Sequence, residues 1–367
     1  MCIRDSNIFG HANAQIAEAI ATQARTLEHV MFAGHTHEPA VRLAERLLKV
    51  APKGFGKVFF ADNGSSAVEV ALKMSFHSWV NRGEKRPFFV HLDQAYHGET
   101  LGALGVSDVG LYKDTYEPLL LKGIQTPAPD VRRPDREADI SQCLDALEAL
   151  FRERAHEISA MIMEPLIQCA AGMRMHEPSF VKGVSALCRR FGVHLIADEI
   201  ATGFGRSGSL FACEQAQVRP DFLCLSKGIT GGFMPLSVVL TDDEIYAAFY
   251  ADWVEQKAFL HSHSYTGNAL ACAAANAVLD IFEQNPVIEE NARKGALMEK
   301  LVRDRLEAHP HVAHIRRHGM VLALDLQQDK TTNRAYDWTE RRGLQAHLYG
   351  LENEALLRPL GDTLYLM

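Results

Sequence analysis

Two ionisable residues in the middle of the chain each close an apolar run of strand length. Asp198 is the last residue of VHLIAD (residues 193–198), and Lys227 directly follows DFLCLS (residues 221–226). A lysine amine shielded from water loses its proton and can form a Schiff base with an aldehyde. An aspartate can pair with a protonated pyridine nitrogen, and the two groups together are the signature of a pyridoxal phosphate site. Taken singly they favour a surface lysine and a helix cap, but the pair and the glycines that follow Lys227 favour the cofactor.

A phosphate group would need a binding site of its own, and DNGSSAVE (residues 62–69) offers one. Gly64 and Ser65 lie at a predicted strand-to-helix turn, where backbone N–H groups and the helix dipole attract an anion. Ser66 and Glu69 have the S-x-x-E spacing of a capping box, which predicts the start of a helix. An ordinary capped helix without a ligand is the alternative.

LDQAYHGET (residues 92–100) places an aromatic ring after another apolar run. Tyr96 could stack on a pyridine ring from there. For the adjacent His97, the residue type alone favours a structural hydrogen bond.

These residues must be positioned by the elements around them. From about residue 40 to 280, short apolar runs alternate with amphipathic segments, which predicts an α/β fold with a mostly parallel sheet between helices. Ligands bind such a sheet at the carboxyl ends of its strands. A long Ala-rich helix is predicted from Ala269, followed by shorter elements of a second, smaller domain. The predicted strands span residues 57–61, 88–92, 158–163, 193–198, 221–226 and 236–241.

Composition excludes several other classes of protein. The 367 residues carry 38 basic and 46 acidic side chains, a net charge of −8 that gives no footprint for nucleic acid or an anionic membrane. No apolar run approaches the roughly 20 residues of a membrane helix, and the first residues do not resemble a secretion signal. Seven cysteines without C-x-x-C spacing indicate reduced thiols and a cytoplasmic location. The histidine pairs of HTH and HSH lack metal-site spacing, so no metal is expected.

Three segments together resemble the class III, fold type I, pyridoxal-phosphate-dependent aminotransferases. They are ADEIATGFGRSG, LSKGITGGFMPLS and HSHSYTGNALACAAANA, and their order and spacing agree with that family over nearly the whole chain. The resemblance implies pyridoxal 5'-phosphate as cofactor and a homodimer. It also implies a large cofactor-binding domain at residues 38–282 and a smaller α/β domain built from residues 1–37 and 283–367.

The resemblance further assigns roles to individual residues. Lys227 would be the Schiff-base lysine and proton carrier, Asp198 would hold the pyridine nitrogen protonated, and Tyr96 would stack on the ring and meet the substrate. The other assigned positions are Gly64 and Ser65 at the phosphate, His263 and Ser264 in the loop that reaches the partner subunit's phosphate, Ser262 and Arg358 at the substrate, and Arg206 and Glu164 near the site. Thr266 competes with Ser264 for the phosphate contact.

Within the class, three details resemble the enzymes that transfer an amino group from S-adenosylmethionine to 8-amino-7-oxononanoate in biotin synthesis. They are Ala201 in DEIATGFGR, the segment AAGMRMHEP, and LLRPLGDTLYLM with Arg358 as the carboxylate ligand. Another class III ω-aminotransferase acting on diamines, β-alanine or GABA is the alternative, as is lysine as donor. A ligand-sensing domain fused to a DNA-binding head is disfavoured, because no basic helix-turn-helix precedes residue 40.

The two ends of the sequence depart from the family pattern. MCIRDS stands where the family has a Ser-Trp-Trp segment, and the chain stops at LYLM where the family continues. We therefore expect an incomplete reading of a longer protein, with an unrelated first six residues. If the chain is as short as it stands, the substrate pocket lacks one wall.

Overall fold

A computed structural model describes residues 6–367, so the expectation for MCIRDS and for Cys2 lies almost entirely outside the described residues. The α-helices are α1 Ala14–Ala24, α2 Glu38–Val50, α3 Gly64–Asn81, α4 Leu101–Gly105, α5 Gly110–Lys113, α6 Arg136–Arg154, α7 Pro178–Phe191, α8 Ala212–Ala216, α9 Asp243–Ala247, α10 Ala269–Gln284, α11 Val287–Leu306 and α12 Arg342–Glu352. The strands are β1 Lys57–Ala61, β2 Phe88–Leu92, β3 Ile124–Thr126, β4 Ile158–Met163, β5 Ile167–Gln168, β6 Arg174–Met175, β7 His194–Asp198, β8 Phe222–Leu225, β9 Ser237–Thr241, β10 Val312–His318, β11 Val321–Asp329, β12 Arg334–Ala335 and β13 Thr363–Leu366.

A seven-stranded central sheet has the order β1-β9-β8-β7-β4-β2-β3. The strands from β8 to β3 run parallel, whereas β9 is antiparallel to both of its neighbours. The predicted mostly parallel sheet is thus confirmed, and each of the six predicted strands lies within one residue of its predicted bounds. The sequence did not predict β3, because three residues are too few to show a periodic pattern.

Successive side chains of each strand point to opposite sides of this sheet, and helices pack on both sides. Ile196 and Phe222 pack in the cluster that includes α3. Their neighbours Ala197 and Leu223 pack on the other face, with residues of α2 and α10. Burial on both faces explains why the strands read as continuous apolar runs rather than as alternating ones.

A second sheet follows the long helices, with β11 between β10 and β13 and with β12 paired to its far end. The expectation of only shorter elements after the Ala-rich helix was wrong. α11 has 20 residues and is the longest described helix. Its first turn carries Glu289 and Glu290 and its last turn Arg303 and Arg305, an arrangement that complements the helix dipole.

The start of α3 differs from the predicted capping box. The side chain of Asn63 caps the helix by accepting the N–H of Ser66 at 3.1 Å. Glu69 instead accepts the N–H groups of Gly102 and Ala103 at 2.8 and 3.2 Å, at the start of α4. The prediction was wrong because an Asn is as good a cap as a Ser and stands closer to the strand. Among residues 6–367, no helix has the length and apolar character needed to cross a bilayer.

Candidate active site

A cavity of about 410 Å³ lies beyond the carboxyl ends of β2, β4, β7 and β8. This is where the rule for parallel sheets places ligands. The residues that line the cavity are Asn63, Gly64, Ser65, Tyr96, His97, Gly98, Glu99, Tyr112, Glu164, Cys169, Ala170, Met173, Asp198, Ile200, Ala201, Lys227, Arg358, Leu360, Tyr365 and Met367.

Asp198 is fixed at the base of the cavity by two hydrogen bonds. It is the last residue of β7 and is buried. One carboxylate oxygen lies 2.7 Å from Nδ1 of His97, and the other accepts the N–H of Ile200 at 3.1 Å. The predicted hydrogen-bonding role of His97 is confirmed. The carboxylate is therefore held in one orientation by a buried side chain and a backbone N–H group.

Lys227 lies in the same cavity, just beyond the neighbouring strand. Asp198 pairs with Cys224 in the parallel register of β7 and β8, which places the two strand ends side by side. Lys227 has a φ of +48°, in the left-handed region that is costly for a residue with a side chain. Strain of this kind is found where the surrounding structure fixes a functional side chain.

The start of α3 and the loop after β2 form a turn that is suited to an anion and is called the anion-binding turn below. Gly64 and Ser65 are the first two residues of α3 and line the cavity, and N–H groups at the start of a helix have no acceptors within the helix. Ser65 lines the cavity, and its hydroxyl accepts the N–H of Glu99 at 3.3 Å. Gly98 has a φ of +119°, and a Cβ there would lie 2.0 Å from Oγ of Ser65. Two chain segments can approach this closely only because one of them is glycine.

Glu164 joins two loops of the cavity wall. Its carboxylate accepts the N–H of Tyr96 and the N–H of Cys169, each at 3.1 Å. Burial raises the pKa of Glu164 to about 7; His97 opposes this shift, and the negative charge of Asp198 adds to it. Glu164 directly follows β4, so the strand-end rule could have found it without any family resemblance.

Tyr96 enters the cavity from the loop after β2. Its hydroxyl donates to Oε1 of Glu99 at 2.9 Å, and its ring centroid lies 5.6 Å from that of Tyr112. The aromatic wall therefore has two rings, of which the sequence predicted one. Tyr112 was missed because it follows no strand.

The opposite end of the cavity is built by the end of the chain. Arg358 lines it together with Leu360, Tyr365 and Met367, and Met173 from the loop before β6 completes this wall. No hydrogen bond or ion pair joins the Arg358 side chain to another described residue. The strand-end rule of the central sheet could not predict that Leu360, Tyr365 and Met367 line the cavity, because the strand in this segment, β13, belongs to the second sheet.

Four predicted site residues do not line the cavity within one chain. Ser262 and Ser264 are exposed, and Nδ1 of His263 lies 3.2 Å from Oδ1 of Asp62. Arg206 is buried, and its backbone carbonyl accepts the N–H of Met320. Their predicted contacts with phosphate and substrate therefore stay predictions.

The residues of the cavity fit pyridoxal phosphate. Lys227, the anchored carboxylate of Asp198 and the anion-binding turn at Gly64 share one cavity, as the cofactor's aldehyde, ring nitrogen and phosphate require. A Cβ at Gly64 would lie 3.0 Å from Cγ2 of Ile200, so the turn closes tightly over the carboxyl end of β7. No cluster of metal-ligating side chains was found among residues 6–367.

Comparison with known proteins gives concordant results. The sequence model described as "Aminotransferase class-III" matches residues 2–361. The adenosylmethionine-8-amino-7-oxononanoate aminotransferase of Helicobacter pylori is 47% identical over 366 residues, which cover 98% of this chain and 80% of that protein. The enzyme of the same name from Geobacter sulfurreducens is 40% identical over 98% of this chain and 80% of its own length.

Solved structures agree with these relatives. The crystal structure of the Methanocaldococcus jannaschii enzyme of that name superimposes with a TM-score of 0.93 at 37% identity, covering 98% of this chain and 81% of that one. An amine transaminase from an uncultivated Pseudomonas species, solved with pyridoxal phosphate bound, superimposes with a TM-score of 0.92 at 34% identity, covering 98% and 83%.

Proposed function

The chain belongs to the class III aminotransferases, which are pyridoxal-phosphate-dependent transaminases, and we propose that it transfers an amino group from S-adenosylmethionine to 8-amino-7-oxononanoate. The product would be 7,8-diaminononanoate, an intermediate of biotin biosynthesis. The observation that carries the proposal is the near-full-length similarity to relatives named for this reaction, at 39 to 47% identity in four of them.

Pyridoxal phosphate, when bound, would supply an electron sink for the charge that develops as the donor loses its α-proton. We assign the attachment of the cofactor, and the transfer of that proton at Nζ, to Lys227. Asp198 would hold a proton on the ring nitrogen, because its carboxylate is buried and oriented by His97. The N–H groups at Gly64 and Ser65 would bind the phosphate, and Tyr96 would cover the ring.

The substrate end of the cavity supports a carboxylate on an apolar chain. Arg358 offers a forked guanidinium, which suits a carboxylate better than a lysine amine would. Leu360, Tyr365 and Met367 beside it give the wall an apolar surface for the methylene chain. We therefore assign Arg358 to the carboxylate of the acceptor.

We further propose a homodimer in which the loop around Ser264 reaches the phosphate of the partner subunit. Thr266 is a poorer candidate for this contact, because its hydroxyl donates to the carbonyl of His263 at 2.8 Å within the loop. Ser264 is exposed and keeps its hydroxyl for an outside acceptor. We propose a cytoplasmic location, and a division into residues 38–282 and a smaller domain from residues 1–37 and 283–367.

A direct assay tests the reaction. Purified protein loaded with pyridoxal phosphate would be mixed with S-adenosylmethionine and 8-amino-7-oxononanoate, and 7,8-diaminononanoate would be measured by mass spectrometry. We expect product with wild type, none with Lys227→Ala, and wild-type amounts with Lys182→Ala, an exposed lysine on α7. Lysine and GABA would replace the donor in parallel. Product from GABA but not from S-adenosylmethionine would refute the named reaction and favour an ω-aminotransferase, and product from lysine but not from S-adenosylmethionine would favour the lysine-using variant of the same step.

A further inference from the structure

A buried ion pair in the second sheet lies directly behind the substrate end of the cavity. Arg316 of β10 and Asp325 of β11 face each other. Nη1 and Nη2 of Arg316 each donate to one carboxylate oxygen of Asp325, at 3.0 Å. Only 5% and 12% of these side chains are exposed. Neither residue lines the cavity, and the proposed chemistry uses neither.

Arg316 also holds the turn that carries Met173 into the cavity. Its guanidinium donates to the carbonyl of Gly172 at 2.5 Å and to that of Met173 at 3.0 Å. Both turn residues have left-handed φ angles, +64° and +53°. A non-glycine residue keeps this conformation only when its surroundings impose it, and Arg316 supplies that restraint from the second sheet.

Asp325 holds the opposite part of the same wall. Its Oδ1 accepts the hydroxyl of Thr363 at 2.8 Å. Thr363 is the first residue of β13 and closes a tight turn with Leu360, through reciprocal backbone hydrogen bonds of 2.9 and 3.0 Å. That turn follows Arg358, and Leu360 lines the cavity with it. One carboxylate thus fixes the turn that presents the guanidinium assigned to the substrate.

We propose that Arg316 and Asp325 are positioning residues that set the spacing between the Met173 turn and the Arg358 segment, and so determine affinity for the acceptor's carboxylate end. The inference rests on the proposed function for the identity of the acceptor. It places a determinant of substrate selection in the second sheet, on two residues that do not line the cavity. The fork geometry is essential, because one guanidinium reaches the carboxylate and the two carbonyls at once.

Three substitutions test this without removing a charge from the buried pair. Arg316→Lys keeps the charge but cannot reach Asp325, Gly172 and Met173 together. Thr363→Val removes the hydroxyl with little change in shape, and Thr363→Ser restores it. Arg46→Lys is the matched control, since Arg46 is also largely buried and pairs with Asp280 at 2.8 Å, but lies between α2 and α10 away from the cavity.

We expect Arg316→Lys and Thr363→Val to raise the KM for 8-amino-7-oxononanoate about tenfold, with kcat and the Kd for pyridoxal phosphate within about twofold of wild type. Thr363→Ser should restore KM. Arg46→Lys should lower the unfolding temperature without changing KM. The proposal is overturned if KM is unchanged in both Arg316→Lys and Thr363→Val. It is also overturned if KM rises equally in Arg46→Lys, because that would show a general effect of lowered stability.

The failure of the proposed function can be told apart from the failure of this inference. Nonanoate carries the carboxylate and apolar chain of the acceptor but no reacting carbonyl, and its binding to the loaded enzyme would be measured by calorimetry. A tenfold weaker Kd in Arg316→Lys and Thr363→Val supports the positioning role even if the enzyme uses another acceptor. An unchanged Kd in both, with measurable binding to wild type, refutes it, and so does an absence of nonanoate binding to wild type.

Discussion

Acidification should destabilise the folded chain through His194, the first residue of β7. The ring stacks on Trp79 with centroids 4.4 Å apart, and its Nδ1 lies 2.9 Å from Oγ of Ser75. Burial lowers the pKa of His194 to about 3, and the positive charges of Arg82 and Arg86 add to the shift. A neutral imidazole is therefore built into the sheet.

The magnitude follows from the two pKa values. In the unfolded chain a histidine binds its proton near pH 6.5, so the unfolded state gains protons first as the pH falls. The contribution of His194 to stability is complete above about pH 6.5 and is lost below it. When the pH falls from about 7.5 to 5, stability is lost only over about the last 1.5 units, below the unfolded pKa. At about 1.4 kcal/mol per unit this loss is roughly 2 kcal/mol. Because pH 5 lies far above the folded value, the result depends on the unfolded pKa alone.

A difference measurement isolates this term. The pKa of buried Glu199 is raised to about 7, chiefly by burial, so that residue becomes more stabilising on acidification and partly masks His194 in the wild type. His194→Asn keeps a nitrogen close to the position of Nδ1 but does not titrate. Urea unfolding, followed by tryptophan fluorescence, would give the free energy of unfolding of both proteins at each pH.

We expect the stability advantage of wild type over His194→Asn to shrink by roughly 2 kcal/mol between about pH 7.5 and 5. The cost of removing the ring is independent of pH and cancels. His156→Asn is the control, because that side chain is 76% exposed and meets solvent in both states. An advantage that stays constant with pH for His194→Asn would refute the reasoning.

Three further predictions concern the start of α3 and the phosphate site. Gly98→Ala should destabilise the chain by about 2–4 kcal/mol and weaken pyridoxal phosphate binding, since its Cβ would displace Ser65; thermal unfolding and cofactor titration measure this. Asn63→Ala should lower the free energy of unfolding, measured with urea, by about 1 kcal/mol, and Ser66→Ala should lower it by less than about 0.5 kcal/mol. A larger loss for Ser66→Ala than for Asn63→Ala would show that Ser66 caps the helix. Ser264→Ala should weaken cofactor binding about tenfold while Ser264→Thr does not, measured by equilibrium dialysis; equal affinities would remove Ser264 from the phosphate site.

Residues that follow a strand were predictable, because one geometric rule applies to all of them. Asp198 and Lys227 each end an apolar run, and the parallel register of β7 and β8 then brings them together. Glu164 obeys the same rule. The local sequence therefore carries the cofactor end of the cavity almost completely.

The substrate end was predictable only by resemblance. Tyr365 lies on β13, a strand that pairs with β11 and reaches the cavity only after the second sheet has packed. Met173 depends on Arg316, more than a hundred residues away in the sequence. Neither contact leaves a periodic pattern, because each is set by long-range packing rather than by the neighbouring residues. The prediction of the α3 cap failed for a different reason: Asn63 and Ser66, three positions apart, are both good capping residue types, and only the backbone decides between them.

The order in which the cavity is assembled along the chain has a consequence for synthesis on the ribosome. The cavity-lining residues assigned to the cofactor within one chain have all been translated once Lys227 has been made, whereas Arg358, Leu360 and Tyr365 are translated about 130 residues later. The part of the cofactor site that one chain supplies is thus complete before Arg358, the residue assigned to the acceptor's carboxylate, has been made. Domains generally fold as units during synthesis, so the cofactor would act as an early template, and the contact with the acceptor's carboxylate would form only when the segment around Arg358 has been made.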